Sequence, residues 1–253
     1  MGFGAITQYV DVAQLVLYVF WGFFFGLVYY LVRENHREGY PMETDRGVHM
    51  RVSGWPVPEP KTYLLHDGSE ISVPRAHDPQ PPLNAEPMHA WNAPTREPVG
   101  DPMLAMVGPG AYALRADVPD VMPDGVTPKI VPLRTEPEYG VAKQDRDVRG
   151  FPVIGADGET AGTVRDLWID KCELMFRYLE VELAGGRTVL LPMPFARVRK
   201  DEIKVDAILS TQFSNVPALK TADRITLLEE EMVAAYYGGG TLYATPERAE
   251  PLI

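Results

Sequence analysis

The most strongly apolar stretch of the chain lies near its N-terminus. Residues Val12 to Leu31 read VAQLVLYVFWGFFFGLVYYL, with no charged residue and one polar amide, Gln14. At about 1.5 Å per residue, a helix over this stretch is roughly 30 Å long, which matches the hydrocarbon core of a bilayer. A long helix of a soluble protein would show a polar face, and this one shows none. The pattern predicts a transmembrane helix over residues 12–32.

The charges beside this span set its orientation. Residues 1–11 contain no Lys or Arg, whereas Arg33 and Arg37 follow the span. A cleaved signal peptide would have the basic residues before the apolar segment, and basic residues mark the cytoplasmic side of a membrane helix. We therefore expect the N-terminus outside and the bulk of the chain in the cytoplasm. Gly22 and Gly26 have a spacing that lets a partner helix approach closely, although ordinary glycine usage in a membrane helix explains them equally well.

Residues 33–150 are rich in proline, which interrupts helices. Of the chain's 24 prolines, 17 lie between Pro56 and Pro137. A disordered linker is one interpretation. Aromatic residues such as Trp91 are uncommon in disordered segments, so we favour an extended, irregular chain that lies on the surface of a partner. Short strands are predicted at Lys61–Leu65 and Ile71–Val73.

From about Phe151 onward, apolar and polar residues alternate with the period of a β-strand. Met175–Leu183 places Leu179 and Val181 on one face and Glu180 on the other. Asp157-Gly158 is a typical two-residue hairpin turn. Five or six short strands of this kind predict a small antiparallel barrel or sandwich. We expect a fragment from about Phe151 onward to fold alone, and residues 38–150 not to.

A helix is predicted after these strands. Thr226 and Glu229 have the spacing of a capping box, so the helix begins there. It is expected to end near Tyr237, because Gly238–Gly240 follows directly. The residues from Leu242 onward are expected to form a docked, extended tail.

Composition excludes several classes of function. The 253 residues carry a formal net charge of −11, which argues against a nucleic-acid partner. The single cysteine, Cys172, excludes an intramolecular disulfide and disfavours a cysteine-based metal site. No phosphate-binding loop and no pairing of a nucleophile with a base is evident, which disfavours a membrane-anchored hydrolase. His66-Asp67 and His77-Asp78 could bind a surface metal, but solvated loop residues are the favoured interpretation.

A group of carboxylates is the most informative chemical feature. Asp166, Asp170 and Glu173 surround Cys172, and Arg177 and Glu180 follow. In a regular strand, Asp166, Trp168 and Asp170 would share one face. From spacing alone, a solvated charged face is the favoured interpretation. The alternative is a relay of titratable groups, since neighbouring like charges raise one carboxyl pKa toward neutral.

Several short motifs are distributed along nearly the whole chain. They are Arg37-Glu38-Gly39-Tyr40-Pro41, Lys61-Thr62-Tyr63, Gly100-Asp101-Pro102-Met103, Lys129-Ile130-Val131-Pro132, Ala161-Gly162-Thr163-Val164, Asp166-Leu167-Trp168-Ile169-Asp170, Arg177 to Leu183, Asn215-Val216-Pro217, Thr226 to Glu230 and Tyr243 to Ala249. Together they resemble the H subunit of the purple-bacterial photosynthetic reaction centre, which carries a PRC-barrel domain. Residues 44–60 and 75–98 match least.

The resemblance implies a fold and a set of domains. The fold class is mainly β with one N-terminal transmembrane α-helix, an extended Pro-rich surface segment and a small antiparallel PRC-type β-barrel with a C-terminal helix. The expected domains are a periplasmic N-terminus (1–11), the transmembrane helix (12–32), the Pro-rich segment on the partner subunits (33–150) and the cytoplasmic barrel with its helix and tail (151–253). The chain is expected in the bacterial inner, intracytoplasmic membrane as a single-pass protein.

The resemblance also implies partners, cofactors and a role. The partners are the reaction-centre L and M subunits and the lipid bilayer, with a cytochrome subunit and a core light-harvesting antenna as further candidates. This chain is expected to bind no cofactor and to catalyse no reaction. Bacteriochlorophyll, bacteriopheophytin, quinones and non-haem iron are expected in the partner subunits. The chain would cap the cytoplasmic face of L and M, stabilise the quinone sites and help to deliver protons to the secondary quinone.

The resemblance gives the carboxylate group a role. It places Asp170, Glu173 and Arg177, with Glu180, on the proton path, so that the relay becomes the favoured interpretation. Asp124 falls near the expected mouth of this path. Some relatives have histidines just after this position, whereas none follows here, so an imidazole cannot take up the proton at that place. The alternative function is a membrane-tethered PRC-barrel adaptor with no photosynthetic role.

Overall fold

The computed structural model describes residues 6, 11–37, 58–73, 83–89 and 95–249. They belong to two units, one comprising residues 1–80 and 90–94, the other residues 81–89 and 95–253. Predictions for the motif at 38–41, for Trp91 and for His77 lie outside the described residues.

The first unit contains helix α1 (Val12–Asn35) and a short hairpin. Asp11 caps the helix, because its carboxylate accepts a hydrogen bond from the Gln14 backbone N–H at 2.7 Å. Strands β1 (Lys61–Leu64) and β2 (Glu70–Val73) pair in antiparallel register and confirm the two strands predicted there. No residue of α1 is buried, and its length and apolar composition suffice to cross a membrane.

The second unit is built on one seven-stranded sheet and a separate pair of strands. The separate pair is antiparallel and consists of β3 (Ala85–Pro87) and β4 (Arg96–Pro98). The sheet comprises β5 (Ile130–Pro132), β6 (Pro152–Ile154), β7 (Thr160–Asp170), β8 (Met175–Leu183), β9 (Thr188–Pro192), β10 (Arg197–Val198) and β11 (Ile203–Lys204). Its order is β10-β11-β6-β7-β8-β9, with β5 paired to the end of β7.

The sheet confirms the predicted class of mainly β structure with one apolar N-terminal helix and a C-terminal helix. The predicted barrel is not closed, because β9 and β10 end the order of the described strands and do not pair with each other. One pair, β11 with β6, is parallel, whereas the other pairs are antiparallel. The hairpin predicted at Asp157-Gly158 is confirmed, because β6 and β7 pair in antiparallel register on either side of it, but its turn is longer than the two residues predicted. Gly155 N–H donates to Glu159 O at 2.9 Å, so three residues form the turn, with Gly158 at φ +82°.

Two irregularities interrupt the pairing of β7 with β8. Val164 and Asp166 pair with consecutive residues of β8, so Arg165 between them is an extra residue on β7. Tyr178 and Phe176 pair with consecutive residues of β7, so Arg177 between them is an extra residue on β8. A bulge re-aims side chains and breaks the alternation of faces. Neither extra residue lies between Asp166 and Asp170 on β7, so the alternation that places Asp166, Trp168 and Asp170 on one face is not interrupted on that strand.

Helix α2 (Leu227–Tyr243) begins as predicted and ends later than predicted. The Thr226 side chain accepts a hydrogen bond from Glu229 N–H, and the Glu229 carboxylate accepts one from Thr226 N–H, which confirms the capping box. The helix continues through Gly238–Gly240, because these glycines permit close packing. A Cβ at Gly238 would lie 2.8 Å from Pro109 O, and one at Gly240 would lie 2.6 Å from Ala207 O. An extended tail was expected from Leu242 onward, but α2 continues to Tyr243, so this prediction is wrong for the first residues of the tail.

The core lies between the sheet and α2. Trp168, Leu179 and Phe213 are among its fully buried side chains. Residues before the predicted start of the β domain also belong to it, namely Met103, Ile130, Val131, Leu133 and Val148. Strand β5 was not predicted, because three residues in a Pro-rich segment show no periodicity.

Candidate functional site

The turn between β7 and β8 gathers three of the predicted site residues. The Asp170 side chain is 0% exposed, and its Oδ1 accepts hydrogen bonds from the backbone N–H of Cys172 (2.9 Å) and of Glu173 (3.0 Å). Its Oδ2 accepts a hydrogen bond from Arg177 Nε at 3.2 Å and lies 3.9 Å from Lys129 Nζ. We call Lys129, Asp170, Glu173 and Arg177 the turn cluster.

Arg177 lies between the two carboxylates of this cluster. Its Nη2 is 2.8 Å from Glu173 Oε2, while its Nε bonds Asp170. Burial opposes the charged form of Arg177, but the hydrogen bond to Asp170 and the charge of Glu173 outweigh it and raise the Arg177 pKa. The Glu173 side chain is 48% exposed, so this cluster joins a buried carboxylate to the protein surface.

Glu180 belongs to a different group, which we call the Arg134 cluster. Its Oε2 accepts a hydrogen bond from Trp168 Nε1 at 2.9 Å and another from Arg134 Nη1. Arg134 also binds Asp166, through its backbone N–H at 3.1 Å and its Nη1 at 3.2 Å. The structure thus separates Glu180 from the other residues assigned to one path. Burial of two carboxylates demands a cation, and Arg134 supplies it.

The strand alternation had placed Glu180 on an outward face. The face is covered, because the segment 218–222 lies over it and encloses a cavity of about 330 Å³ together with Trp168, Glu180 and Leu190. Arg134 Nη2 donates a hydrogen bond to Ala222 O and holds this cover to the cluster. A local pattern carries no information about such a long-range cover.

Asp124 occupies an exposed turn before β5. Its Oδ1 accepts hydrogen bonds from the backbone N–H of Val126 and of Thr127, both at 2.9 Å, and its Oδ2 accepts one from the Thr127 hydroxyl. The Thr127 hydroxyl and these backbone groups lower the Asp124 pKa to about 2. Asp124 therefore remains ionised at neutral pH, where it acts as a fixed negative charge.

A further carboxyl near Arg177 was missed by sequence reasoning. The Tyr178 hydroxyl donates a hydrogen bond to Glu230 Oε2 on α2 at 3.1 Å. Burial raises the Glu230 pKa, while Tyr178, Arg115 and Arg177 oppose the rise and Asp120 adds to it. Burial likewise raises the Tyr178 pKa. Glu230 lies in the first turn of α2, where acidic residues usually only complement the helix dipole, so its position in the sequence did not indicate a functional carboxyl.

The raised Glu230 pKa predicts a pH-dependent stability. Because the folded state binds this proton more tightly than the unfolded state, whose pKa is near 4.5, stability is full below pH 4.5 and is lost as the pH rises through the folded pKa. Glu230→Gln should therefore be more stable than the parent chain at pH 8, and the advantage should vanish at pH 4. Urea unfolding at both pH values measures this. Glu231→Gln is the neighbouring control, and an equal advantage at both pH values would contradict the assignment.

The remaining predicted residues lie in α1. A Cβ at Gly22 or Gly26 would meet no atom within 4 Å, so both positions are open within the described structure. Among the described residues, no group of three or more His, Cys, Asp or Glu side chains could hold a metal ion.

Two comparisons with protein families identify the chain. The family described as the PRC-barrel domain matches residues 141–212, so the sheet belongs to a PRC-barrel domain. The family described as the photosynthetic reaction centre H-chain, N-terminal region, matches residues 4–135, more than half of the chain. The chain belongs to the family of photosynthetic reaction-centre H chains. Membership implies a structural, membrane-associated subunit that assembles with the L and M subunits, and it replaces the alternative of an unrelated adaptor.

Proposed function

We propose that this H chain caps the cytoplasmic face of the L and M subunits, shields the quinone sites from water and helps to deliver protons to the secondary quinone. In this proposal the N-terminus is periplasmic, the β domain is cytoplasmic, and the pigments, quinones and iron are bound by partner subunits. The basic residues after the span, Arg33 and Arg37, support this orientation.

The turn cluster is the observation that supports proton delivery. Reduction of a quinone to quinol consumes two protons, and a site shielded from water needs protein groups to supply them. Glu173 is half-exposed and shares Arg177 with the fully buried Asp170. Arg177 holds both carboxylates in charge-assisted hydrogen bonds, and only the outer one, Glu173, is open to solvent. Glu173 is therefore the proposed carrier, and Asp170 positions its turn.

Glu173→Gln tests this function in the assembled reaction centre. The change keeps the shape of the side chain and removes the carboxylate that would carry the proton, so the second, proton-coupled electron transfer to the secondary quinone should slow on the order of tenfold. The first photochemical charge separation should be unaffected. Flash-induced proton uptake and quinone kinetics between pH 6 and 9 measure both steps.

Glu182→Gln is the matched control, because Glu182 is an exposed carboxylate on β8, outside the turn cluster. Its kinetics should equal those of the wild type. Wild-type kinetics in Glu173→Gln over the whole pH range would remove Glu173 from proton delivery.

A further inference from the structure

The hairpin of β1 and β2 has one apolar face. Successive side chains of a strand point to opposite faces, and the register pairs Tyr63 with Ile71 and Lys61 with Val73. Leu65 follows Tyr63 in the same alternation, and its backbone N–H donates to Ser69 O across the hairpin at 2.8 Å. We call the four apolar residues of this face, Tyr63, Leu65, Ile71 and Val73, the hairpin face.

The opposite face of the hairpin is largely polar. It carries Thr62, Leu64, Glu70 and Ser72, and the Thr62 hydroxyl donates a hydrogen bond to the Ser72 hydroxyl at 3.4 Å. The hairpin is therefore amphipathic, with Leu64 as an apolar residue on its polar side.

The hairpin face is open to its surroundings. Tyr63 is 42% exposed and Leu65 is 44% exposed, while Ile71 and Val73 are half-buried. A two-stranded hairpin is at best marginally stable in water unless its apolar face packs against something else. The hairpin face therefore needs an apolar environment to cover it.

Ion pairs join the start of this hairpin to the end of α1. Lys61 Nζ lies 3.7 Å from Glu34 Oε2, and the same carboxylate oxygen lies 2.7 Å from Arg37 Nε. Arg37 Nη1 also donates a hydrogen bond to the backbone oxygen of Glu59, two residues before β1. Strand β1 therefore begins beside the last turn of the apolar helix.

This junction sets the distance of the hairpin from a bilayer that α1 spans. Glu34 comes three residues after Leu31, the end of the apolar stretch, which is about 4.5 Å along the helix. The headgroup layer on each side of the hydrocarbon core is roughly 5–7 Å thick. Tyr63 lies within about 7 Å of Lys61, because a strand rises about 3.4 Å per residue. The hairpin face thus begins at the level of the headgroups, where tyrosine is enriched.

The charges at the junction favour lipid as the cover. Three basic residues, Arg33, Arg37 and Lys61, stand there against two acidic ones, Glu34 and Glu59. A basic cluster beside a membrane helix attracts anionic phospholipid headgroups. The acidic residues of the hairpin itself lie at its other end, toward the turn. An apolar face joined to the end of a membrane helix by a basic cluster has the composition of an interfacial membrane contact.

We propose that the hairpin face lies in the cytoplasmic headgroup layer of the bilayer and forms a second membrane contact beside α1. The inference rests on the proposed function, which places the residues after α1 at the cytoplasmic surface. Tyr63 and Leu65 enter the layer, and the half-exposed Lys61 ammonium faces the phosphates beside Glu34. Attachment at two points restricts the tilt of α1, because interfacial anchors set the tilt of a membrane helix.

Leu65→Cys tests this contact in the full-length chain. Cys172→Ser removes the native thiol, and an environment-sensitive fluorophore is attached to the new one. The labelled chain is reconstituted into vesicles of phosphatidylcholine and phosphatidylglycerol that carry a spin label near the headgroups. The fluorophore should lose at least about half of its emission, because an interfacial apolar face lies about 5–10 Å deep, at the headgroup boundary.

Leu64→Cys is the matched control, since Leu64 is the neighbouring leucine on the polar face. Its fluorophore should keep most of its emission. Equal quenching at both positions, or none at Leu65→Cys, would overturn the inference. Shielding of the Leu65→Cys fluorophore that appears only at high protein density, or only after L and M are added, would identify a protein as the cover and would also overturn it.

A third label separates failure of this inference from failure of the proposed membrane span. A fluorophore at Phe23→Cys, in the middle of α1, should be quenched by spin labels deep in the acyl chains. Deep quenching at Phe23→Cys without quenching at Leu65→Cys would leave the span intact and refute only the hairpin contact. Absence of quenching at Phe23→Cys would refute the span, and the hairpin contact with it.

Discussion

A fragment that begins at Thr95 is expected to fold by itself, whereas one that begins at Phe151 is expected to remain unfolded. The shorter fragment lacks β5 and five buried apolar side chains: Met103, Ile130, Val131, Leu133 and Val148. At about 2 kcal/mol for each side chain, the loss is roughly 10 kcal/mol, comparable with the whole stability of a typical domain. The structure thus moves the expected start of the folding unit from residue 151 to residue 95.

Amide NMR spectra of residues 95–249 and 151–249 measure the difference. Dispersed, sharp signals are expected from the longer fragment, and collapsed signals from the shorter one. A well-dispersed spectrum of residues 151–249 would show that the strands after Phe151 suffice without β5.

Asp170→Asn is expected to destabilise the β domain by about 3 kcal/mol, at the lower end of the range for breaking a buried ion pair. An amide has one oxygen, so if that oxygen keeps the two backbone N–H groups of the turn, its NH₂ group faces Arg177 and Lys129. Donors then confront donors in a buried position. Arg177 is only half-buried, which lets water satisfy part of its charge and limits the loss. Chemical unfolding of the full-length chain in detergent measures the change.

Glu173→Gln is the matched control for this stability effect. Glu173 shares Arg177 but is half-exposed, and exposed ion pairs contribute about 0–1 kcal/mol. Equal destabilisation by both variants would contradict the anchoring role of Asp170. The effects of Asp170→Asn and of Glu173→Gln on proton delivery must therefore be measured on complexes whose turn is shown to be intact.

Local patterns predicted much of the fold. The strand at Met175–Leu183 and the capping box at Thr226 were placed correctly, because alternation and capping involve residues close in sequence. The end of α2 was misplaced, because the three glycines serve contacts with Pro109 and Ala207, which no local pattern shows. The barrel closure was not predictable either, since it depends on how the outer strands β9 and β10 curve.

The candidate site was likewise predictable only where its residues lie close together in the sequence. Asp170, Glu173 and Arg177 come together because one turn holds them within seven residues. Glu180 was assigned to the same group, but two bulges and the cover at 218–222 give it a separate environment. Its partner Arg134 is 46 residues away. Asp166 and Glu180 pair across the hairpin of β7 and β8 and need a cation, but the sequence offered no means to choose which one.

The contacts that join the Pro-rich segment to the C-terminal region constrain how the chain matures during synthesis. Pro119 bridges to Thr226, and the Thr226 hydroxyl donates a hydrogen bond to Asp117 across 109 residues of sequence. The apolar helix emerges from the ribosome first and can enter the bilayer at once, whereas this segment must wait until α2 has been made. Closure of such long loops slows folding. Until α2 has been made, the prolines protect the Pro-rich segment, because they prevent both premature helices and pairing of its exposed edges with other nascent chains.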